Sequence, residues 1–167
     1  MNNIKLMVFD CDGVLTDGSI IYDEAGGQIK AFHARDGFGF RACRHVGMKI
    51  AVLTARSSPA VDRRMKELQV DHYLHGCDGK AAGLATILEQ SGMTAKQTAY
   101  LGDDVLDLPA LKQVGYPMAV ADAARDVKEI AQYVTTAVGG RGAAREAIEH
   151  VLRAQGQWDA VLARFGG

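Results

Sequence analysis

The chain has 167 residues, of which 48% are hydrophobic and 23% charged, and its formal net charge is −1. This length fits one globular domain over residues 1–167, and the near-neutral charge excludes an electrostatic basis for binding nucleic acid or an anionic membrane. No apolar run reaches the roughly 18 residues of a membrane span, no signal peptide is visible, and the three cysteines are scattered, so we expect a cytoplasmic protein without nucleic-acid or membrane partners.

Strand and helix patterns alternate along the chain. Continuous apolar runs predict buried strands at residues 4–9, 49–54, 73–74, 98–101 and 116–120, with an edge strand at 133–134. Two β-rich runs around an acidic, glycine-containing turn predict a hairpin flap over about residues 15–33. Helices are predicted over 36–47 with Asp36 as the N-cap, from 58, over 79–91, through 106–111, over 124–131 and over 143–154. Repeated βα units predict an α/β fold, a Rossmann-like doubly wound parallel sheet.

The C-terminal region, about residues 139–167, begins with a glycine-rich segment at 139–142 that we interpret as a joint before the last helix. After that helix, an apolar stripe recurs at helical spacing, formed by Trp158, Val161, Leu162 and Phe165. Such a stripe either covers the chain's own core or docks on a neighbouring subunit. We favour docking on a neighbour, because a late segment has few partners left within its own chain.

Two carboxylates follow the first predicted strand directly. Asp10 and Asp12 are separated by one residue, so on extended backbone their side chains point the same way. Acids aimed at one point repel each other, and a fold places them so mainly where a cation or a shared proton is present. In open α/β sheets, ligands bind outside the carboxyl ends of the strands. The pair therefore indicates a catalytic or metal-binding site.

Further polar residues stand at other strand ends and helix starts. Thr54 follows the second buried strand, Lys80 begins a helix, and Asp103, Asp104 and Asp107 follow a later strand. Together with the first two carboxylates, these groups suit phosphoryl transfer to a carboxylate, because a cation and a lysine reduce the repulsion between an attacking carboxylate and a phosphate dianion.

We assign each step of this chemistry to an individual residue. Asp10 would attack phosphorus and form an aspartyl-phosphate. Asp12 would protonate the leaving alkoxide and then activate the water that releases phosphate. Thr54 would donate a hydrogen bond to a phosphoryl oxygen, and Lys80 would balance its charge.

An oxygen-rich Mg²⁺ site is expected beside these groups. Asp10, Asp103 and the backbone carbonyl of Asp12 would hold the metal. Asp104 and Asp107 would orient those ligands and Lys80 from behind.

Plainer interpretations remain open for each residue. The first two acids could form a strand-end turn, Thr54 could be only a helix cap, and Lys80 could be a solvated helix lysine. A signalling receiver also uses clustered acids, Mg²⁺, Thr and Lys, but its phosphorylated Asp follows a later strand, where this chain has Thr54. A catalytically inactive tetramerising module is the other alternative, and the intact set of acids argues against it.

The motifs resemble those of the haloacid dehalogenase superfamily phosphatases. The matching residues, in the same order, are Asp10 to Asp17, Thr54, Lys80 and Gly102-Asp103-Asp104 followed by Asp107. The resemblance implies a Mg²⁺-dependent phosphatase, and the second acid, Asp12, favours phosphatase over dehalogenase. Only 41 residues separate Asp12 from Thr54 and only 25 separate Thr54 from Lys80, so the chain resembles members without a cap domain.

Within that class the chain looks like the phosphatases of 3-deoxy-D-manno-octulosonate 8-phosphate. Three segments carry this resemblance: residues 16–18, residues 33–37 and residues 139–146. It implies hydrolysis of that sugar-acid phosphate in lipopolysaccharide biosynthesis, by a homotetramer whose hairpins associate and whose neighbouring subunits help to close each site. It also implies a set of substrate-contacting residues, namely Asp12, His33, Ala34, Arg35, Asp36, Gly37, Arg41, Arg56, Arg64 and Lys80. The alternative of another sugar-acid phosphate, such as a nonulosonate 9-phosphate, stays open.

Overall fold

The computed structural model describes residues 3–77 and 79–166, so Met1, Asn2, Asp78 and Gly167 lie outside the described residues. Eight strands are present: β1 Leu6–Phe9, β2 Ile21–Tyr22, β3 Gln28–Ile29, β4 Lys49–Leu53, β5 His72–Leu74, β6 Thr98–Gly102, β7 Tyr116–Ala119 and β8 Tyr133–Val134. Six of them form one sheet in the order β5-β4-β1-β6-β7-β8, and every pairing in it is parallel. The predicted α/β fold is confirmed.

Seven α-helices connect and flank these strands: α1 Ala34–His45, α2 Pro59–Leu68, α3 Lys80–Ser91, α4 Leu108–Leu111, α5 Arg125–Ile130, α6 Ala143–Ala154 and α7 Trp158–Phe165. Helix α1 packs against α6, and α3 packs against α4. Within the described residues, none of these helices is long and apolar enough to cross a membrane.

Strand β1 lies in the middle of the sheet, and its side chains are completely buried. It pairs with β4 on one side and with β6 on the other, which explains why its sequence is apolar at every position. The chain builds the β4-β5 half first and then returns to build β6, β7 and β8 on the other side. The crevice at this change of direction therefore opens at the carboxyl end of β1, where Asp10 follows.

Strands β2 and β3 form a separate antiparallel hairpin, as predicted for the flap. The Asp23 carboxylate closes its turn by accepting the backbone N–H groups of Ala25 and Gly27. The large apolar side chains of the hairpin are turned towards solvent, with exposed fractions of 49% for Ile20, 48% for Ile21, 63% for Tyr22 and 51% for Ile29. Between β1 and β4 the described residues hold only this hairpin and α1, in keeping with a fold without a cap domain.

Asp36 is not the N-cap of α1, contrary to the prediction. The helix begins at Ala34, with His33 at the N-cap position. Asp36 lies within the first turn, is 3% exposed, and accepts the backbone N–H of Arg145 at 2.8 Å. It therefore ties the start of α1 to the start of α6, where backbone N–H groups lack partners within their own helix.

The C-terminal stripe packs on its own chain, so the preference for docking on a neighbour was wrong. Trp158 and Val161 are buried, with exposed fractions of 3% and 1%. The Phe165 ring meets the Phe38 ring edge-on at 5.5 Å between centroids, and Leu162 alone of the stripe is an exposed large apolar residue. Helices α1 and α6 leave an apolar surface that α7 covers, a partner that sequence spacing does not reveal.

The glycine-rich segment at 139–142 is a close contact rather than a joint. A Cβ at Gly139 would lie 1.9 Å from the Gly13 carbonyl oxygen, and one at Gly140 would lie 2.3 Å from the Asp17 nitrogen. The Gly140 N–H also donates to the Val14 carbonyl at 2.9 Å. Residues 139 and 140 thus support the loop that follows β1 from behind.

Candidate active site

A cavity of about 250 Å³ opens at the carboxyl ends of β1, β4 and β6. It brings together eight of the residues singled out from the sequence: Asp10, Asp12, Thr54, Arg56, Lys80, Asp103, Asp104 and Asp107. A larger groove of about 760 Å³ lies along α6 and β8. That groove holds arginines and glutamates but none of the carboxylates that follow β1 and β6, so the smaller cavity is the candidate site.

A buried ion-pair network lies at the base of the cavity. Lys80, the first residue of α3, donates from Nζ to Asp10 Oδ1 at 2.7 Å and to the Leu53 carbonyl at 2.9 Å. The same ammonium lies 3.0 Å from Asp107 Oδ1. The Lys80 and Asp107 side chains are 5% and 1% exposed, so these charges are held where water screens them little.

Asp107 is fully engaged by protein donors. The Tyr100 hydroxyl donates to its Oδ1 at 2.8 Å, and the Asp103 backbone N–H donates to its Oδ2 at 3.0 Å. With both oxygens bound in this way, Asp107 is suited to orient Lys80 and Asp103 rather than to bind a ligand itself. The supporting role of Asp107 stays a prediction.

The donor set beside the network fits a Mg²⁺ ion. Oxygens of Asp10, Asp103 and Asp107 lie within 4.8 Å of one another. Asp103 Oδ1 is buried and receives no hydrogen bond from the described residues, which leaves it free to bind a cation. None of the backbone N–H groups described donates to the Asp12 carbonyl either. Carboxylate and carbonyl oxygens are the ligands that Mg²⁺ prefers, so Asp10, Asp103 and the residue-12 carbonyl can hold it.

Gly13 allows the loop after β1 to approach this metal site. Its φ is +88°, a left-handed conformation that glycine adopts without strain. A Cβ at this position would lie only 2.0 Å from Asp103 Oδ2. A side chain here would therefore displace the carboxylate that the metal needs.

Asp12 is held through one of its two oxygens. Lys30 Nζ and Thr16 Oγ1 donate to Oδ1 at 2.5 Å and 3.2 Å. Thr16 belongs to the motif from Asp10 to Asp17, whereas Lys30 was not singled out from the sequence. Lys30 comes from the end of the hairpin, and only the folded position of the hairpin brings it to the loop after β1.

Thr54 and Arg56 border the cavity on the β4 side. The Thr54 backbone N–H donates to the Leu74 carbonyl at 3.0 Å, which fixes the end of β4 against β5. Its hydroxyl oxygen accepts the Arg56 N–H at 3.3 Å. The hydroxyl proton is therefore free to be donated to a ligand oxygen in the cavity.

The other residues carried over from the resemblance do not line this cavity within one chain: His33, Ala34, Arg35, Asp36, Gly37, Arg41 and Arg64. Arg35 borders the larger groove. The Arg41 guanidinium lies 4.7 Å from the Phe165 ring centroid, and Arg64 pairs with Glu67 at 3.4 Å. Their contact with substrate remains a prediction.

Two functional side chains were missed from the sequence, Lys30 and Tyr100. Tyr100 is completely buried in β6, and its hydroxyl lies 3.4 Å from Lys80 Nζ. A polar tip on a tyrosine in an otherwise apolar strand was the available signal, since a buried hydroxyl needs a partner. Lys30 offered no comparable signal, because a single lysine after a hairpin is typical of an exposed surface position.

The electrostatics of the cavity favour a bound cation. Burial, and then the charge of Asp107, raise the pKa of Asp10 to about 6, although Lys80 opposes the shift. Burial, followed by the charges of Asp10, Asp107 and Asp104, raises the pKa of Asp103 to about 8. Burial alone would lower the pKa of Lys80, but the carboxylates of Asp10 and Asp107 outweigh it and raise that pKa. A divalent cation offsets the same repulsion.

Comparison with known proteins identifies similar chains. A family model described as haloacid dehalogenase-like hydrolase matches residues 78–146. Over 157 residues the chain is 43% identical to the 3-deoxy-D-manno-octulosonate 8-phosphate phosphatase KdsC of Haemophilus influenzae, covering 94% of this chain and 87% of that protein. It is 39% identical to KdsC of Escherichia coli strain K12, over 94% of this chain and 84% of that protein.

Solved structures agree with this similarity. The 3-deoxy-D-manno-octulosonate 8-phosphate phosphatase of Moraxella catarrhalis, in complex with a magnesium ion, a phosphate ion and a KDO molecule, has a TM-score of 0.94 at 40% identity, covering 98% of this chain and 94% of that one. The cobalt-bound Haemophilus influenzae enzyme has a TM-score of 0.90 at 43% identity, covering 93% and 91% of the two chains.

Gly13→Ala is expected to abolish stabilisation by Mg²⁺, because the new methyl group collides with Asp103. The measurement is the shift in melting temperature on adding Mg²⁺. Gly26→Ala is the matched control, since Gly26 has a similar φ of +83° but no atom within 4 Å of its Cβ position. Both variants carry backbone strain of about 1–2 kcal/mol, so a Mg²⁺ shift retained in Gly13→Ala would contradict the assignment.

Asp103→Asn is expected to stabilise the metal-free protein much more at pH 8 than at pH 5. Because the raised pKa of Asp103 makes the folded state hold more protons than the unfolded state between about pH 4 and pH 8, the free energy of unfolding falls as pH rises through that window. The variant lacks this loss, so it gains on the order of 1 kcal/mol over wild type at pH 8. Urea unfolding in chelator measures the difference, with the exposed Asp159→Asn as control. An equal difference at both pH values would sink the prediction.

Proposed function

This chain belongs to the 3-deoxy-D-manno-octulosonate 8-phosphate phosphatase family of the haloacid dehalogenase superfamily, and we propose that it catalyses the Mg²⁺-dependent hydrolysis of that sugar-acid phosphate to KDO and inorganic phosphate. The observation that carries the proposal is the Asp10 carboxylate, held by Lys80 beside the free oxygen of Asp103. The Moraxella catarrhalis relative, which binds magnesium, phosphate and KDO, supports the same substrate class.

In the first step we assign Asp10 as the nucleophile. Its Oδ1 accepts Lys80 Nζ and the Cys11 N–H, both at 2.7 Å, so Oδ2 faces the cavity as the attacking oxygen. A bond forms between this oxygen and phosphorus while the bond from phosphorus to the ester oxygen breaks. Asp12 donates its proton to the departing oxygen, so the sugar leaves as a neutral alcohol.

In the second step the aspartyl-phosphate is hydrolysed. Asp12, now ionised, accepts a proton from a water molecule, and the water oxygen attacks phosphorus. The bond between phosphorus and Asp10 breaks, which releases inorganic phosphate and restores both carboxyl groups to their starting states. Asp12 thus loses one proton to the sugar in the first step and regains another from water in the second.

The approach of a phosphate dianion to a carboxylate must be made favourable. Two unit charges about 4 Å apart repel by about 4 kcal/mol at an effective dielectric of 20. Mg²⁺, when bound, supplies the charge that draws the phosphoryl oxygens towards Asp10. Lys80 balances the negative charge from below, and the Thr54 hydroxyl donates to a phosphoryl oxygen.

The cavity accommodates the phosphate end of the substrate better than the whole molecule. Its volume of about 250 Å³ is below the usual 300–1,000 Å³ of complete ligand sites, and Ile20, Arg56 and Leu106 stand on its lining. We therefore infer that the eight-carbon acid extends beyond the cavity mouth. Guanidinium groups suit its carboxylate, and Arg56 is the arginine that the described cavity supplies.

We also propose that the chain acts as a single domain within a homotetramer whose subunits associate through their hairpins. The exposed apolar side chains of Ile20, Ile21, Tyr22 and Ile29 lie on the hairpin beside the cavity, where a neighbouring subunit would cover them and help to close the site. The residues at 33–37, Arg41 and Arg64 would then contact substrate in the assembled enzyme. A cytoplasmic location and a role in lipopolysaccharide biosynthesis complete the proposal, and three free cysteines suit a reducing compartment.

Phosphate release from 3-deoxy-D-manno-octulosonate 8-phosphate tests the proposed reaction. We expect wild type to require Mg²⁺ and Asp10→Asn to lose at least about 1,000-fold in kcat/KM, because the amide is a poor nucleophile. The exposed Asp159→Asn serves as control. A clear preference for a nonulosonate 9-phosphate would overturn the substrate while keeping the mechanism. A stable phosphorylated Asp10 without turnover would overturn the hydrolase assignment.

Ile21→Lys is expected to dissociate the tetramer, since it places a charge in the apolar surface through which the hairpins would associate. Sedimentation velocity measures the state of assembly. Lys66→Glu, a charge change on an exposed position of α2, is the control. If wild type sediments as a monomer at micromolar concentration, the tetramer proposal is wrong.

A further inference from the structure

The hairpin contributes one buried charged group to the site. Lys30 directly follows β3, and its side chain is only 3% exposed although it ends in an ammonium group. That group pairs with Asp12 Oδ1, 18 residues away along the chain. Lysine is seldom buried so fully unless it is paired, because an unpaired ammonium loses its hydration. The contact is therefore a built feature of the fold rather than a chance surface pair.

The two carboxylate oxygens of Asp12 differ in their hydrogen-bond partners. Lys30 Nζ and Thr16 Oγ1 both donate to Oδ1. The Thr16 hydroxyl also lies 3.4 Å from the Cys11 carbonyl, and with one proton it can donate to only one of the two acceptors. The ammonium is thus the stronger restraint. None of the described groups hydrogen-bonds Oδ2, so this oxygen is left to face the cavity.

We propose that Lys30 is a positioning residue for catalysis: it fixes Asp12 through Oδ1 so that Oδ2 carries the proton to and from the reacting oxygens, and it thereby makes the chemical step depend on the seating of the hairpin. The inference rests on the proposed phosphatase reaction and assigns a role within it. Without this restraint, repulsion from the neighbouring carboxylates of Asp10 and Asp103 turns the Asp12 side chain away from the cavity.

The leaving group reveals whether proton transfer has been affected. When an alkyl ester is cleaved, the bond from phosphorus to oxygen breaks as Asp12 Oδ2 transfers its proton to the departing oxygen. A nitrophenolate anion leaves readily without that proton. A misplaced Asp12 therefore slows the cleavage of alkyl phosphates much more than that of 4-nitrophenyl phosphate. General loss of structure slows both substrates together.

The experiment compares wild type with Lys30→Met, Lys30→Arg and Gln28→Ala, using the sugar-acid 8-phosphate, mannose 6-phosphate and 4-nitrophenyl phosphate. For Lys30→Met we expect about a 100-fold loss in kcat/KM on the alkyl esters, since general acids contribute about 100-fold or more. We compare kcat/KM because it reports the cleavage of the ester and not the later hydrolysis of the aspartyl-phosphate, which is common to all substrates. On 4-nitrophenyl phosphate the expected loss in kcat/KM is less than about 5-fold, because nitrophenolate leaves without a proton from Asp12. Lys30→Arg should recover most of the alkyl-ester activity, because it restores a donor cation, and Gln28→Ala should behave as wild type.

Equal losses of kcat/KM on alkyl and aryl esters in both Lys30 variants would overturn the proposal and leave only a structural role for Lys30. Unchanged alkyl-ester activity in Lys30→Met would overturn it as well. If wild type hydrolyses mannose 6-phosphate but not the sugar-acid 8-phosphate, the proposed substrate fails, while the ratio of alkyl to aryl activity still decides the role of Lys30.

Discussion

The catalytic edge of this sheet depends on one buried ammonium group. Lys80 Nζ lies within 3.0 Å of Asp10, Asp107 and the Leu53 carbonyl. Asp10 directly follows β1, Leu53 ends β4, and Asp107 lies five residues beyond β6. One cation therefore connects the ends of three strands. Because Asp107 is 1% exposed, removing that cation would leave a buried carboxylate without compensation, which is far more costly than losing a surface ion pair.

The site is assembled from a rigid part and a part with fewer supports. Lys80 begins a 12-residue helix packed on the sheet, and Asp10 follows a fully buried strand. Lys30, by contrast, comes from a hairpin with two residues in each strand and an exposed apolar face. Short, exposed hairpins of this kind are marginally stable by themselves. The proposed nucleophile, Asp10, and the proposed acid–base group, Asp12, are thus held by elements of different stability, which is common where a site must admit and release a ligand.

The sequence alone predicted the carboxylates and Lys80 as site residues. Strand ends and helix starts can be recognised from the local sequence, and the parallel sheet brings them to one edge. Sequence reasoning could not predict the role of Lys30, because the position of that side chain depends on how the hairpin packs on the loop after β1. It misread Asp36, because the same carboxylate can cap its own helix or accept a distant N–H group, and only packing decides between them. The prediction that the C-terminal stripe docks on a neighbour was wrong for a related reason. The apolar surface that α7 covers is formed by α1 and α6, and the residue spacing within α7 carries no information about that surface.

The close contact of Gly139 and Gly140 with the loop after β1 has a consequence for biosynthesis. The segment that supports residues 13–17 follows them in the sequence by more than 120 positions. A ribosome therefore delivers the proposed nucleophile, Asp10, long before it delivers the residues that support its loop. Domains fold as units once their parts are available. The nascent chain accordingly carries Asp10 without the finished pocket around it until residues 139 and 140 have been synthesised and can pack on that loop.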